Sequence, residues 1–303
     1  MSSRGDWRRV SKRQPCPVCG KPDWCAVATD GTAALCQRVE SSKRIGDGGW
    51  LHRLQNSSGQ PRQRVRTVRV GRASTPSADL ARLAERCRAA VDAEHLQRLA
   101  RTLGLSTRSL SRLDIGWVTA PELERLGTTC RGTGCWTFPM RDAAGAVLGI
   151  RLRAPGGCKY AIAGSCEGLF VPADWAGDDV LLICEGPTDT AALLDVGFGN
   201  VVGRPSCTGG TRLLGELVRL RQPPEAVIVS DADAHGVGQR GADALAARLV
   251  AYAPAVRVIQ PPEGVKDARS WLQAGGTRRD VQQVIDAAAV RRLRIRTRRV
   301  VHG

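Results

Sequence analysis

Two stretches of the sequence decide the fold: Val180-Leu181-Leu182-Ile183-Cys184-Glu185-Gly186-Pro187-Thr188-Asp189 and Ala226-Val227-Ile228-Val229-Ser230-Asp231-Ala232-Asp233-Ala234-His235-Gly236. Each is a short apolar run, typical of a strand buried in a parallel sheet, and each stops at carboxylates. In an open α/β sheet, the carboxyl ends of the strands form the ligand-binding crevice. Carboxylates that converge there repel one another unless a divalent cation neutralises them, and Mg²⁺ prefers oxygen ligands. The pattern predicts a metal-dependent site for phosphoryl transfer.

Apolar runs and helical patterns alternate around these two stretches. The expected strands lie near 180–184, 200–203, 226–230 and 255–259, and the expected helices near 188–196, 210–221, 238–252 and 267–274. This order predicts an α/β fold, a parallel sheet flanked by helices. Upstream, residues 136–140 and 146–153 flank a turn and predict a β-rich hairpin. From Ser77 a helical periodicity runs to Gly104, and a short helix is expected over 106–110.

The acids fall into two pairs. Glu185 and Asp189 lie four residues apart across a strand-to-helix turn, so they can share a face. Asp231 and Asp233 straddle one residue after a strand, and alternation directs both side chains the same way. We expect the two aspartates to bind Mg²⁺ or Mn²⁺, with Glu185 as a further ligand or as the general acid–base group.

The charge of the chain indicates a nucleic-acid partner. The formal net charge is +16, and only five of the 45 basic residues are lysines. The planar arginine fork suits phosphate, although a coding bias toward arginine also produces such a composition. The excess collects in residues 61–72 and 291–299, and such runs are typical of arms that bind phosphate backbones.

Cysteine usage and hydropathy bear on the compartment. The sequence has no stretch of about 18 apolar residues, so no membrane association is expected. The polar N-terminal residues have no apolar core of a secretory signal. The eleven cysteines are therefore expected as thiols or metal ligands in a reducing, cytoplasmic compartment.

Four cysteines near the N-terminus predict a zinc site. Cys16-Pro17-Val18-Cys19-Gly20 places two thiolates on one tight turn. Cys25 and Cys36 flank an Asp30-Gly31 hairpin signal, and antiparallel pairing sets them opposite each other. His52 is the alternative to Cys25 as a ligand. A segment of about 40 residues rarely builds a sufficient core without metal or disulfides, so structural Zn²⁺ is expected.

Three motifs in this order resemble the Toprim domain shared by bacterial and phage primases, topoisomerases and some nucleases. They are Glu185-Gly-x-x-Asp189, Asp231-x-Asp233-x-x-Gly236 and Lys266-Asp267. Phe138-Pro139-Met140-Arg141-Asp142 and the basic residues after it resemble the subdomain that precedes Toprim in bacterial- and phage-type DNA primases. The zinc module lacks the second closely spaced cysteine pair usual in such ribbons.

The resemblance implies a primase that makes short RNA primers on a single-stranded DNA template from ribonucleoside triphosphates. Glu185, Asp231 and Asp233 would hold Mg²⁺, Asp267 could join them, and Asp189 belongs to the catalytic group. Phosphate contacts are expected from five basic residues: Arg141, Arg151, Arg153, Lys159 and Lys266. No Walker-type sequence occurs, so a separate replicative helicase is the expected partner.

The expected organisation is a zinc ribbon (14–54), a basic linker (55–78), a helical segment (79–135), a small β-rich basic subdomain (136–175), a Toprim domain (176–275) and a C-terminal helix with a basic tail (276–303). Residues 77–118 fit either a packing bundle or a DNA-contacting helix-turn-helix. The alternatives to a primase are a Toprim-type nuclease and a non-catalytic nucleic-acid-binding protein. A topoisomerase is disfavoured, because Tyr160 and Tyr252 are the only tyrosines and no gate domain fits.

Overall fold

The computed structural model describes residues 7–43, 45, 49–54, 77–128, 132–175, 179–233 and 236–293. The chain forms two compact units, Met1–Val70 and Gly71–Gly303. Across the described residues, none of the helices combines the length and the apolar character needed to cross a bilayer.

The first unit is a small antiparallel sheet with strand order β1-β2-β3-β4. Its strands are β1 (Trp7–Arg9), β2 (Ala26–Ala28), β3 (Ala33–Cys36) and β4 (Trp50–Arg53). The buried cluster of this unit consists of Cys16, Cys25 and Cys36, with Val10, Val18 and Cys19 packed against it. A core this small does not supply the burial that stabilises an ordinary domain, so the cysteines themselves must contribute to the stability of the unit.

The second unit contains a parallel sheet with strand order β10-β9-β11-β12. The strands are β9 (Leu181–Glu185), β10 (Val201–Arg204), β11 (Ala226–Val229) and β12 (Val256–Ile259). The helices that follow them are α5 (Gly186–Asp195), α6 (Thr211–Arg221), α7 (Val237–Leu249), α8 (Ala268–Gln273) and α9 (Arg278–Ala287). The expected strands and helices are confirmed to within a few residues, because buried parallel strands are nearly continuous apolar runs.

Side-chain alternation along β9 divides the helices into two layers. Leu182 belongs to a core cluster with residues of α5, α8 and α9, whereas Leu181 and Ile183 belong to a cluster with residues of α6 and α7. Successive side chains of a strand point to opposite faces. The parallel sheet is therefore covered on both faces, which confirms the predicted α/β class.

An antiparallel sheet with order β5-β6-β7-β8 precedes the parallel one. Its strands are β5 (Gly116–Thr119), β6 (Gly134–Arg141), β7 (Val147–Arg153) and β8 (Lys159–Ala161). The helices of this region are α1 (Ser77–Ala90), α2 (Ala93–Leu103), α3 (Thr107–Ser111) and α4 (Ala120–Arg125). The predicted hairpin is confirmed as β6 and β7. One face of this sheet packs on α1, and Phe138 and Trp136 share a core cluster with α5.

The expected single helix from Ser77 to Gly104 is wrong in one respect: it is two helices. Asp92 is extended (φ −90°, ψ 172°), and its carboxylate accepts the backbone N–H of His95, so it ends one helix and caps the next. Gly104 terminates α2 in the left-handed conformation (φ 64°), as expected. Leu99, Leu103 and Leu110 are buried in the core shared with α5, which favours the packing interpretation of this segment.

Several expectations concern residues outside the described ones. These are most of the linker 55–78, the basic run 61–72, and residues 294–299 of the C-terminal basic run.

Candidate active site and metal centre

The carboxyl ends of β9 and β11 meet at the point where the strand order reverses. The chain passes from β9 to β10 on one side and then crosses to β11 on the other. Ile183 and Ile228 are partners in register, so Glu185, the last residue of β9, lies at the same edge as Asp231, two residues beyond β11. A crevice at such a switch point is the usual ligand site of an open α/β sheet.

Glu185 and Asp189 are positioned by the turn into α5. Gly186 follows the strand with φ +79°, a conformation that glycine adopts without strain, and it lets the helix begin at once. Asp189 lies in the first turn and is only 7% exposed. Its carboxylate accepts the backbone N–H of Arg269 in α8 at 2.9 Å. The two acids of the predicted pair therefore lie in different elements: Glu185 ends the strand, and Asp189 connects two helices.

The loop after β11 is held at both ends. The backbone N–H of Ala232 donates to the carbonyl of Lys266 at 2.7 Å. The Asp233 carboxylate accepts the backbone N–H groups of Val237 and Gly238, so it caps α7. Both carboxylate oxygens of Asp233 are thus oriented by the first turn of α7.

The Lys266-Asp267 element opens α8. Asp267 is extended and accepts the backbone N–H of Ser270 at 2.8 Å, so it is a helix cap. Its other carboxylate oxygen lies 3.8 Å from the ammonium group of Lys266. The structure places Asp267 in a capping role, and its participation in a metal site stays a prediction.

Repulsion between the acids is visible in their pKa values. Burial and the negative charges of Glu185, Asp189 and Asp267 raise the pKa of Asp231 to about 8. Burial and the charge of Asp267 raise the pKa of Asp189 to about 7. Burial also raises the pKa of Glu185, although Arg204, Lys266 and Lys159 oppose that rise. The crevice favours protonated carboxylates because ionised ones repel one another, and a divalent cation relieves that repulsion.

The acids are nevertheless not packed as a compact ligand group. Among the described residues, three or more ligand atoms come within 4.8 Å of one another at the four cysteines of the first unit, and not at these carboxylates. Helix caps and loop contacts therefore hold these acids in position, and the acids interact with one another electrostatically.

Cations of the antiparallel sheet face the acids. Arg151 and Arg153 lie two residues apart on β7, on the same face of the sheet. Arg153 is paired in register with Lys159 of β8. Desolvation lowers the pKa of Arg151, and the charges of Glu167 and Glu185 oppose that change. Desolvation, together with the positive charge of Arg153, lowers the pKa of Lys159. Like charges directly opposite each other destabilise a sheet, so this pair favours a bound anion between the two sheets.

Arg141 lies in a different environment from the other predicted phosphate contacts. Its guanidinium donates to the Asp114 carboxylate at 2.6 Å and to the carbonyl of Gly145 at 3.0 Å. Asp114 is also 3.6 Å from Arg88 of α1. The side chain thus connects the β6–β7 turn to the segment before β5, and its role in phosphate binding stays a prediction.

Two cations of the site were missed from the sequence. Arg204 ends β10 in register with Glu185 and is 4% exposed. Arg269 follows Ala268 in α8, and its charge lowers the pKa of Lys159, after desolvation and Arg153. For Arg204 the available signal was a charged residue ending the Val201-Val202-Gly203 apolar run; for Arg269 the sequence offered none beyond its nearness to Lys266 and Asp267.

The four cysteines of the first unit form a separate centre. The sulfurs of Cys16, Cys19, Cys25 and Cys36 all lie within 4.8 Å of one another, with Sγ–Sγ distances of 3.7 Å (Cys19–Cys25) and 3.9 Å (Cys25–Cys36). Tetrahedral Zn²⁺ with Zn–S bonds of about 2.3 Å separates its sulfurs by about 3.8 Å. The register Ala26–Leu35 between β2 and β3 brings Cys25 beside Cys36, as the hairpin signal predicted.

The surroundings of the sulfurs also suit a metal. Backbone N–H groups of Arg38 and Val39 donate to the Cys36 sulfur at 3.4 and 3.3 Å. Although partial burial opposes it, hydrogen bonds from the Lys21 backbone and neighbouring thiols lower the pKa of Cys19 to about 7, whereas burial raises the pKa values of Cys25 and Cys36. His52, the alternative ligand, lies outside the group, and its Nε2 is 3.0 Å from the carbonyl of Val39.

The fold with an antiparallel sheet before a parallel sheet is similar to that of solved DNA primase catalytic cores. Similar solved structures include a DnaG catalytic core (18% identity, 71% of this chain and 80% of that chain, TM-score 0.57). They also include a DNA primase domain from Pseudomonas aeruginosa (19%, 71% and 79%, 0.54) and the zinc-binding and RNA polymerase domains of Aquifex aeolicus primase (17%, 71% and 61%, 0.52). No family model and no curated protein matches the chain. The resemblance to a Toprim-type primase core is confirmed at the level of the fold.

Proposed function

We propose that this chain is a DNA primase-like enzyme that synthesises short RNA primers on a single-stranded DNA template from ribonucleoside triphosphates. The observation that carries the proposal is the placement of Glu185 and Asp231 at a switch point, opposite the basic face of β7 and β8. Its fold supports the same assignment, since one similar structure is a DnaG primase catalytic domain bound to ssDNA.

The acidic and the basic residues of the site have different proposed roles. Glu185, Asp231 and Asp233 are the proposed Mg²⁺ or Mn²⁺ ligands, with Asp267 as a further candidate. When bound, the ion supplies positive charge to the triphosphate and the developing transition state. Arg151, Arg153, Lys159 and Lys266 bind phosphate groups of the nucleotide and the template. Glu185, whose pKa is raised by burial, is also suited to exchange a proton with the attacking hydroxyl.

The first unit is proposed to be a structural zinc module that contributes to template binding. All four ligands come from the protein, so the ion has no open position for chemistry. A separate replicative helicase is proposed as the partner in the cell, and the boundaries expected from the sequence are proposed as the functional segments.

The test is primer synthesis by the full chain. A single-stranded template, ribonucleotides and Mg²⁺ should yield short RNA products in the wild type and none in Asp231→Ala or Asp233→Ala. Asp286→Ala removes an exposed carboxylate of α9 and is the matched control; it should retain full activity. Degradation of the template in place of synthesis would support the nuclease. Template binding that survives both substitutions, with no product in the wild type, would support a non-catalytic role.

A further inference from the structure

Arg204 occupies an unusual position for a charged side chain. It is the last residue of β10 and is paired in register with Glu185, the last residue of β9. At 4% exposure it is the one buried cationic side chain in the described part of the chain. A buried charge is strongly destabilising unless neighbouring groups compensate it, so its surroundings must supply negative charge.

The hydrogen bonds of Arg204 do not supply that compensation. Its Nε donates to the carbonyl of Ser206 at 2.7 Å, a neutral acceptor two residues along the chain. Its Nη2 is buried and has no hydrogen-bond partner. The guanidinium is therefore anchored at one edge and has an unused donor.

The charges around Arg204 are acidic. Glu185, Asp231 and Glu167 all favour its protonated form, against the desolvation that lowers its pKa. Glu167 reaches the same region from the segment after β8, and its carboxylate accepts the backbone N–H of Gly210 at 3.2 Å. The buried cation thus lies among carboxylates from several different segments.

Helix α7 lies close to the Arg204 side chain at Gly241. At Gly241 a β-carbon would overlap the carbonyl of Cys207 and would lie 3.3 Å from Nη2 of Arg204. The helix begins directly after the loop that carries Asp231 and Asp233. Glycine at this position therefore lets α7 pack closely against the Arg204 side chain.

We propose that Arg204 is a positioning residue of the active site, a buried counter-charge beside Glu185 that offsets the mutual repulsion of the switch-point acids. The catalytic consequence rests on the proposed function; the structural consequence does not. Without Arg204, a larger share of the balancing charge has to come from a divalent cation. Arg204 acts through Glu185 and touches no reacting atom.

The experiment compares Arg204→Lys, which keeps the charge, with Arg204→Gln, which keeps a donor and loses the charge. In the full chain, the rise in Tm on adding about 10 mM Mg²⁺ should be at least twofold larger for Arg204→Gln than for the wild type, because the ion takes over the missing charge. Arg204→Lys should resemble the wild type. In primer synthesis, Arg204→Gln should lower kcat by about tenfold with KM for ribonucleotides within about threefold, and Arg204→Lys should recover most of that loss.

The matched control is Arg257→Gln. Arg257 is a half-buried arginine of β12 whose Nε donates to Glu225 at 2.7 Å, and it has no contact with the acids of the site. This variant should lower Tm without changing the Mg²⁺-dependent rise or kcat. A purely structural Arg204 would behave in the same way, and that outcome would overturn the proposal.

Charge compensation is tested directly by adding Glu185→Gln. In the Arg204→Gln background it should raise the Tm of the metal-free protein by more than it does in the wild type, because Arg204 offsets part of the cost of the ionised Glu185 carboxylate. Additive effects would contradict the proposed pairing. If the wild type makes no RNA, the proposed function fails, while the Mg²⁺-dependent and double-variant stabilities still decide the role of Arg204.

Discussion

The carboxylate of Asp189 in α5 accepts the backbone N–H of Arg269 in α8, across 80 residues of sequence. Asp267 accepts the next N–H of the same helix, from Ser270. The first turn of α8 is thus capped by one carboxylate of its own segment and one from the Glu185-Gly-x-x-Asp189 motif. The motif therefore positions the Lys266-Asp267 element as well as contributing an acid to the crevice.

Loss of the Asp189 acceptor should destabilise this junction. Asp189→Ala leaves a buried N–H without a partner, and we expect the free energy of unfolding to fall by about 1–3 kcal/mol. Asp189→Asn keeps an oxygen acceptor and removes the repulsion from Asp267, so its stability should equal or exceed that of the wild type. Denaturant unfolding of the two variants at pH 8 measures the difference. Equal losses in both variants would contradict the capping role.

The zinc module gives a prediction with two matched substitutions. Cys25→Ser should reduce bound zinc from about one ion per chain to below about 0.2 and should unfold the first unit, because a structural zinc site supplies much of the folding free energy of a small module. His52→Ala should retain full zinc content, because its ring lies outside the sulfur cluster.

Metal analysis of the purified chains, followed by limited proteolysis with and without a chelator, measures both effects. If His52→Ala loses zinc and Cys25→Ser keeps it, the ligand set is wrong.

Much of the parallel sheet could be predicted from the sequence because its signals are local. Buried strands are short apolar runs, and the residues that follow them stand at the carboxyl edge whatever the strand order is. The Cys25–Cys36 pairing was equally accessible, because a two-strand hairpin with one turn has a register that can be counted from the sequence.

The parts that could not be predicted depend on long-range pairing. That Arg204 faces Glu185 follows from the adjacency of β9 and β10, and no spacing in the sequence encodes that adjacency. The ion pair between Arg141 and Asp114 joins residues 27 apart, and no spacing in the sequence indicates it. Strand β5 was missed because four residues between helices carry too little periodicity to identify.

The raised pKa of Asp231 predicts how stability depends on pH. A carboxyl whose pKa rises from about 4 in the unfolded chain to about 8 in the fold has no effect below pH 4, where both states are protonated. The destabilisation grows as pH rises and is complete above pH 8, where both states are ionised. Asp231→Asn should therefore become more stable than the wild type as pH increases.

Denaturant unfolding from pH 5 to pH 8.5 without divalent cations measures this trend. After allowance for solvent screening of this partly exposed group, the gain should be of the order of 2 kcal/mol at the upper end. Asp286→Asn controls for the loss of one negative charge at an exposed site. Addition of Mg²⁺ should reduce the difference, because the ion stabilises the ionised wild-type site and not the amide. A pH-independent difference would refute the interaction among the acids.

Variants of Arg141 and Arg153 distinguish an arginine that stabilises the fold from one that binds phosphate. Its ion pair with Asp114 is partly buried, with side-chain exposures of 23% and 13%, so truncation leaves an aspartate without its main partner. We expect Arg141→Ala to lower the free energy of unfolding by about 1–3 kcal/mol and to change affinity for single-stranded DNA by less than about twofold. Arg153→Ala should raise stability and weaken DNA binding, since Lys159 is the register partner of Arg153, and desolvation and the positive charge of Arg269 lower the pKa of Arg153. Removing it relieves repulsion within the sheet and takes one cation from the bound phosphates, so the salt dependence of binding should become shallower. Fluorescence anisotropy at several salt concentrations, beside thermal unfolding, distinguishes the two; comparable losses of DNA affinity would return Arg141 to the phosphate-binding set.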